Sequence, residues 1–178
     1  MAGSPFYIME NVNLFCGDDD PSTSKYLTIE TLKLPDLQRT TANHNAGGVR
    51  GPNVNWVVGM EALKPTFKLK GFDEQLLGQF GLGANDLLKY TAYGALRNRM
   101  DGSYVEVKAI MQGTLTKIAP DQFQRNEIMG HDHEIDQMIH YELWFNGLEK
   151  IYWDWLTNTF RTGGVDQNAQ VNKILRIS

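Results

Sequence analysis

The sequence is poor in cysteine, in positive charge and in long apolar runs. Its 178 residues include one cysteine, Cys16, so no internal disulfide can form. No run approaches the roughly 18 apolar residues that a membrane helix needs, and no basic segment followed by an apolar stretch marks a secretory signal. Acidic residues outnumber basic ones by 21 to 17, and this net charge of −4 disfavours electrostatic binding to duplex DNA.

Motifs that carry catalysis are also missing. The sequence contains neither a Gly-Lys-Ser/Thr phosphate loop nor a Gly-x-Ser-x-Gly nucleophile turn. Cys16 lies beside the acidic run Asp18–Asp20, which would raise the thiol pKa, so a small core residue is predicted rather than a nucleophile. The acidic run itself lacks the glycine that an EF-hand calcium loop requires. We therefore predict a protein that is not an enzyme and binds no cofactor.

The densest group of possible metal ligands is His131-Asp132-His133-Glu134, with His140 nearby. Imidazole and carboxylate groups suit zinc or iron. On a β-strand, however, His131 and His133 share one face while Glu134 and His140 lie on the other, so the four cannot converge. The spacing also matches no metal-binding motif. His131 and His133 are therefore weak candidates, and a solvated start of a strand is the favoured interpretation.

Alternation of apolar and polar residues with period two runs through most of the chain and predicts β-strands. Two turn signals, Asp101-Gly102 and Asn146-Gly147, predict hairpins. Helical spacing of apolar residues occurs in Phe72–Gly81. The sequence therefore predicts one mainly β domain over residues 1–178, an antiparallel β-barrel or sandwich of about seven or eight strands with one flanking α-helix.

Two segments depart from this pattern. Residues 36–55 are rich in Asn and Gly and lack periodicity, so they predict a long inter-strand loop. Residues 163–178 begin with Gly163-Gly164 and predict a strand or an extended C-terminal arm. Ordering such excursions costs conformational entropy, which contacts with neighbouring copies would offset. Together with the missing catalytic motifs, they favour a structural protein that self-assembles.

The order of several short segments resembles a known protein family. The series is Met9–Phe15, Leu32–Leu37, Ala46–Gly51, Glu61–Leu63, Phe67–Asp73, Tyr104–Val107, Met111–Gly113, Tyr141–Gly147, Gly164–Asp166 and Asn172–Leu175. This arrangement is similar to that of the major tail tube proteins of contractile-tailed bacteriophages and of R-type tailocins. The resemblance extends from about Phe6 to Ser178.

The resemblance implies a fold and a role in the virion. Family members are antiparallel β-barrels or sandwiches, six copies form a ring, and rings stack into a hollow tube inside a contractile sheath. The implied partners are the sheath, baseplate and tail-terminator proteins, with no stable membrane association. DNA would be ejected through the lumen and the host envelope without specific binding, which the acidic balance would suit. The tail would be assembled in the cytoplasm of the host bacterium.

The resemblance also implies where copies touch. The loop between rings would be Thr40–Asn55, and the arms Ser4–Glu10 and Gly163–Ile177 would add further contacts. The candidate interface residues are Gly47, Gly48, Val49, Arg50, Gly51, Phe6, Ile8, Val165 and Ile174.

Three alternatives remain open at this stage. An inner-tube protein of a tailocin or of a type VI secretion system would share the fold and the hexamer. A protein of another class, a ligand- or carbohydrate-binding β-barrel, could use Trp144, Trp153 and Trp155 as a stacking platform. A metal-dependent enzyme around His131, His133 and His140 is the third.

Overall fold

Antiparallel strands make up most of the chain in a computed structural model that describes residues 5–44, 47–48, 50–51, 54–82 and 87–177. The strands are β1 (Tyr7–Cys16), β2 (Ile29–Lys33), β3 (Arg39–His44), β4 (Val54–Met60), β5 (Thr66–Lys70), β6 (Leu87–Asn98), β7 (Tyr104–Pro120), β8 (Gly130–Phe145), β9 (Leu148–Asp154), β10 (Thr159–Thr162) and β11 (Val165–Asp166). The helices are α1 (Glu74–Gly78) and α2 (Ala169–Leu175), with a 3-10 turn at Pro21–Thr23. The prediction of a mainly β, antiparallel fold is confirmed.

Nine of the described strands form one sheet, and the other two form a separate hairpin. The main path runs β1-β6-β7-β8-β9-β10-β11, while β2 pairs with β5 and β5 pairs with β8. The hairpin consists of β3 and β4, which pair only with each other among the described strands.

Strand β8 belongs to both layers of the fold. One of its edges pairs with β7 along most of its length, while its other edge pairs with β5 near its start and with β9 near its end. Between these two partners the register with β7 shifts, at Gln112/Thr114 and at Leu115/Lys117. Such bulges bend a strand, and here the bend lets β2, β5 and the first half of β8 fold over the main path.

The hydrophobic core fills the space between these layers. Its largest fully buried apolar side chains include Leu14, Leu69, Leu76, Tyr90, Met111, Leu115, Ile135 and Tyr141. They come from both layers and from α1, and alternate residues of the strands supply them, as the period-two pattern predicts. Cys16 is buried within this core, and burial raises the pKa of its thiol to about 12. The prediction that Cys16 is a core residue is confirmed.

The predicted turns form, and α1 begins with a side-chain cap. Asn146 and Gly147 have φ values of 50° and 74° and join β8 to β9 as a tight hairpin. Gly102 has a φ of 76° in the turn between β6 and β7. Asp73 caps α1, because its Oδ1 accepts a hydrogen bond of 2.9 Å from the backbone nitrogen of Leu76.

The structure corrects the predicted element count and both irregular segments. There are eleven strands and two α-helices in the described chain, against the predicted seven or eight strands and one helix. The described part of residues 40–55 is mostly strand and not irregular loop, because it contains most of β3 and the start of β4. The C-terminal segment 163–178 is not an extended arm either, because it contains β11 and α2. The N-terminal segment 4–10 mostly belongs to β1, where Tyr7, Ile8 and Met9 pair with β6.

These corrections have simple physical causes. The hairpin exposes both faces to solvent, so its sequence shows no alternation. In α2 the apolar residues Val171, Ile174 and Leu175 recur at helical spacing, a pattern too short to stand out beside two glycines. Within the described residues, no helix is both long and apolar enough to cross a bilayer.

Candidate assembly surfaces

The hairpin β3–β4 stands clear of the rest of the chain. Every residue of both strands is exposed to solvent. On β4 this includes large apolar side chains: Trp56 is 61% exposed, Val57 56% and Val58 63%.

The exposed apolar residues of the hairpin lie on both of its faces. Successive side chains of a strand point to opposite sides, so Trp56 and Val57 face in opposite directions. Apolar side chains on both faces are typical of a strand that is covered by protein on both sides. An isolated two-stranded hairpin is also marginally stable in water. The hairpin is therefore the strongest candidate for a surface completed by another molecule.

Four of the five predicted interface residues at the hairpin tip are described. Gly47, Gly48, Arg50 and Gly51 are all exposed. Val49 lies outside the described residues. A Cβ atom at any of the three glycines would meet no other atom within 4 Å, so no contact within the chain requires glycine there.

The remaining predicted interface residues lie at opposite edges of the sheet. Phe6, 60% exposed, and the half-buried Ile8 lie at the β1 edge, whereas Val165, 67% exposed, lies on β11 at the other end of the strand order. Ile174 lies exposed on α2. A single chain therefore does not bring these residues together. Edge strands present backbone groups that can pair with another chain.

Helix α2 is attached to the turn between β9 and β10 by asparagine side chains. Asn158 Nδ2 donates a hydrogen bond of 2.7 Å to Asn172 Oδ1, and Asn172 Nδ2 donates one of 3.1 Å to the Asn158 carbonyl. Asn168 Nδ2 donates one of 3.0 Å to the same carbonyl. The apolar residues of α2 take no part in this network and stay exposed, which makes α2 a second candidate surface.

The face of β8 and β9 that points away from the core carries a polar network centred on His140. Its Nδ1 lies 3.0 Å from Asp154 Oδ2 and its Nε2 lies 2.9 Å from Glu142 Oε1. The indole of Trp144 donates a 2.6 Å hydrogen bond to the other oxygen of Glu142. Burial opposes ionisation of Asp154, but hydrogen bonds from Thr157 and His140 outweigh it and lower the carboxyl pKa below its usual range.

A second polar group extends this face onto β10. Arg161 donates two hydrogen bonds, of 2.9 and 2.7 Å, to the carboxylate of Glu149, and they lower the Glu149 pKa. The guanidinium also stacks 3.7 Å from the ring centre of Tyr152. These side chains hydrogen-bond to and stack on one another. The face of β8, β9 and β10 that points away from the core is therefore covered by polar side chains that already have partners.

The two histidines proposed as weak metal ligands lie in the protein interior. His131 and His133 are each only 4% exposed, so the predicted solvated strand start is wrong. The ring of His133 stacks on Phe67 with centroids 4.6 Å apart, and His131 Nδ1 lies 3.0 Å from the Gly71 carbonyl oxygen. They face the core because β8 pairs with β5 at this point. Within the described parts of the chain, no three His, Cys, Asp or Glu residues form a group that could hold a metal ion.

The three tryptophans proposed as a stacking platform do not form one. Trp153 packs against the core, opposite Tyr141. Trp144 lies on the other face of the sheet, next to Glu142. Trp155 is exposed in the turn after β9. Their rings therefore do not share a surface.

The sequence interpretation did not single out the exposed apolar side chains of β4 as a candidate surface. The signal was present, because three consecutive apolar residues cannot all point to one side of a strand.

Comparison with known proteins places the chain in a family. One chain of the extracellular contractile injection system PVC sheath-tube complex, in the extended state, is similar at a TM-score of 0.51 and 14% identity, covering 72% of this chain and 86% of that chain. A chain of the PVC sheath/tube terminator, in the extended state, is similar at a TM-score of 0.52 and 13% identity. The match covers 78% of this chain and 98% of that chain. A chain of the anti-feeding prophage baseplate has a TM-score of 0.49 and 13% identity. The match covers 78% of this chain and 93% of that chain. At these identities the first two likenesses show a shared fold.

No curated protein matches the sequence. The sequence model of one family matches residues 8–175, which is nearly the whole chain. The chain belongs to the phage tail tube protein FII family.

Proposed function

We propose that this tail tube protein is the major tube subunit of a contractile tail, in which copies form hexameric rings that stack into a hollow conduit. The observation that carries the proposal is the exposed hairpin β3–β4, with Trp56 and Val57 on opposite faces, in a chain of a tube family. Exposed apolar surface of this kind marks a protein–protein contact.

Ring formation uses the two edges of the main sheet. The β1 edge, with Phe6 and Ile8, meets the β11 edge of the next copy, with Val165. Such a contact joins two different surfaces, so repeating it closes a ring when the rotation between copies divides a full turn. Stacking of rings uses the hairpin, including its tip at Gly47–Gly51.

The proposed partners are a sheath, a tube terminator and a baseplate. The similar folds include a chain of a sheath-tube complex and a chain of a sheath/tube terminator. In this proposal the protein is built into the virion tail in the cytoplasm of the host bacterium. DNA passes through the lumen during ejection.

Electron microscopy tests the proposal. Purified protein, concentrated and viewed in negative stain, should show rings and hollow tubes of constant diameter. A strictly monomeric species at high concentration, in both sedimentation and microscopy, would reject it.

Two variants test the role of the hairpin in stacking. Deleting Gly47–Asn53 should abolish tubes while circular dichroism and the thermal unfolding midpoint of the remaining fold stay close to wild type. Trp56→Ser should act in the same direction. Trp155→Ser removes an equally exposed tryptophan, 65% against 61%, and should leave stacking unchanged. Normal tubes from the deletion variant would show that the hairpin does not join rings.

The type of particle is decided by the neighbouring genes. Sheath, baseplate and capsid genes would indicate a phage, a sheath and baseplate without a capsid a tailocin, and secretion genes a type VI system. All three would use the subunit as a tube wall.

A further inference from the structure

The polar face of β8 and β9 holds a histidine between two carboxylates. His140 Nδ1 lies 3.0 Å from Asp154 Oδ2 and its Nε2 lies 2.9 Å from Glu142 Oε1, and both distances are those of hydrogen bonds. Carboxylate oxygens accept hydrogen bonds, whereas a neutral imidazole has one N–H group and one bare nitrogen. A neutral ring can therefore donate in only one of these two contacts.

The other oxygens of the two carboxyl groups are already bound by donors. Glu142 Oε2 accepts the 2.6 Å hydrogen bond from the Trp144 indole, and Asp154 Oδ1 accepts one of 2.8 Å from the backbone nitrogen of Thr157. An indole N–H and a backbone N–H can only donate. Any carboxyl proton in this cluster would therefore have to lie in one of the two contacts with His140.

The geometry requires one proton in each contact. If a contact lacked its proton, a bare ring nitrogen would face a carboxylate oxygen at hydrogen-bond distance with no hydrogen between them. The side chains of His140, Glu142 and Asp154 are only 16% to 17% exposed, so water compensates poorly for such an unmade bond. A positively charged imidazolium donates in both contacts, and hydrogen bonds between ionised groups are stronger than neutral ones.

The β9 side of the ring presents an aromatic side chain and, beyond it, a cation that already has a partner. Tyr152 on β9 packs edge-to-face against the His140 ring, with centroids 5.1 Å apart. Arg161 on β10 stacks on Tyr152 and donates two hydrogen bonds to Glu149. The positive charge of Arg161 is therefore offset by Glu149.

The β7 side of the ring presents uncharged partners. Gln112 pairs with His140 across the two strands, and Ile110 pairs with Glu142. Lys108, further along β7, lies opposite Trp144, and its ammonium is 5.2 Å from the ring centre of Tyr93. Glu142 and Asp154 are therefore the charged groups bonded to the ring, and opposite charges this close favour its protonated form.

We infer that Glu142, His140 and Asp154 form a proton-binding bridge between β8 and β9, in which His140 is an imidazolium at neutral pH and releases one proton to water in alkali. Release of the proton leaves Nε2 bare, so the contact with Glu142 opens. The contact with Asp154 stays, because the backbone of Thr157 fixes that carboxylate, whereas Glu142 is fixed through side chains. The inference concerns the subunit itself and goes beyond its role in a tube.

The bridge gives folding stability a dependence on pH. Above a pH of about 6.5, a histidine in the unfolded chain is mostly neutral, whereas folded His140 keeps its second proton. The folded chain then binds more protons than the unfolded chain, so rising pH lowers the folding equilibrium constant, by up to about tenfold per pH unit. This loss continues until folded His140 is itself deprotonated.

Nitrogen NMR of the histidine rings tests the protonation state directly. In isotopically labelled protein, His140 should have two protonated ring nitrogens at a pH of about 7.5, whereas the exposed His44 should have one. As the pH is raised further, the indole N–H signal of Trp144 should shift together with the deprotonation of His140. A His140 ring that is neutral at a pH of about 7.5 and titrates together with His44 would overturn the inference.

Glu142→Gln separates this role from a merely structural one. The glutamine carbonyl oxygen can accept from the Trp144 indole, and its amide can donate to a bare Nε2, so the network then needs one proton instead of two. Urea unfolding between about pH 6.5 and 8 should show a folding equilibrium constant that changes by less than about twofold per pH unit in the variant, against a several-fold fall in the wild type. Circular dichroism should be unchanged.

His44→Gln is the matched control, because it removes an exposed histidine outside the bridge and should keep the wild-type dependence on pH. A Glu142→Gln protein that also keeps the wild-type dependence would show that His140 carries no extra proton, and the inference would be rejected. If the variant does not fold, the NMR result on the wild-type chain decides the question by itself.

Discussion

Gly113 lies on β7 at the bulge where β7 pairs with the bend of β8, and the structure leaves no room there for a side chain. A Cβ atom on residue 113 would lie 2.8 Å from both the Asp136 carbonyl oxygen and Ile135 Cγ2, and 2.9 Å from Met138 Sδ. The backbone oxygen cannot move without disturbing the bulge that sends β8 into both layers.

We therefore expect Gly113→Ala to lower the free energy of unfolding by about 1–3 kcal/mol, the usual cost of overpacking. Urea unfolding followed by fluorescence measures it. Gly78→Ala is the control, because open space surrounds that position at the end of α1 and the change should stay within about 1 kcal/mol. Equal losses at both positions would contradict the close approach.

His133 is a buried base that folding keeps neutral. Burial, with His131 nearby, lowers its pKa below the usual value of about 6.5. Its Nδ1 is buried without a hydrogen-bond partner among the described residues.

This lowered pKa predicts an acid-sensitive stability. As the pH falls below about 6.5, the unfolded chain binds a proton that the folded chain does not, so the free energy of unfolding decreases until the folded pKa is reached. One such group gives at most about 1.4 kcal/mol per pH unit. His133→Leu should flatten the curve between pH 7 and 5, measured by urea unfolding at each pH. The exposed His44→Leu should leave it unchanged, and an unaltered slope in His133→Leu would refute the assignment.

At the scale of elements, α2 depends on its asparagines rather than on apolar packing. Asn172 both accepts a hydrogen bond from Asn158 and donates one to its carbonyl. Removing hydrogen bonds of this kind costs about 1 kcal/mol each.

Asn172→Leu should therefore release α2 while the sheet stays folded. Hydrogen exchange followed by mass spectrometry should show protection in residues 169–175 falling by about tenfold, with β6 to β8 unaffected. Gln170→Leu changes an exposed residue of the same helix that is outside the network and should have little effect. Unchanged exchange in Asn172→Leu would mean that another contact holds the helix.

The elements that were predicted from sequence are those with local physical signals. Asn146-Gly147 specifies its hairpin because both residues tolerate positive φ. Asp73 specifies the start of α1 through its capping side chain. The alternation of β7 likewise identifies a strand with one face in the core.

The elements that were missed depend on surroundings that the sequence does not display. Strands β3 and β4 have no core face within one chain, so neither can show alternation. The inward orientation of His131 and His133 follows from pairing between β8 and β5, which are separated by 60 residues in sequence. The predicted interface residues stay predictions, because Phe6 and Val165 can meet only across two copies.

At the scale of the whole molecule, net charge governs how strongly the protein binds nucleic acid. The chain carries −4 at neutral pH, and its polar face on β8 to β10 pairs cations such as Arg161 with carboxylates such as Glu149. Phosphate binding relies on a surplus of unpaired cations.

We expect neither subunits nor tubes to retard duplex DNA in a gel shift at about 0.15 M salt, where non-specific binding has Kd values near 10⁻⁴–10⁻⁶ M in basic proteins. A basic DNA-binding protein in the same gel is the positive control. Micromolar binding by this protein would contradict the proposal of a lumen that DNA traverses freely.

The exposed hairpin β3–β4 has a consequence for the growth of the proposed stack of rings. A contact between two different surfaces does not close on itself when it runs along an axis, so it extends without limit. Every stack built through the hairpin as proposed has a polarity: one end presents bare hairpins and the other presents the surface that receives them. The two ends are chemically unlike, so a capping protein that recognises one of them can stop elongation without touching the other, and tube length can be set from a single end.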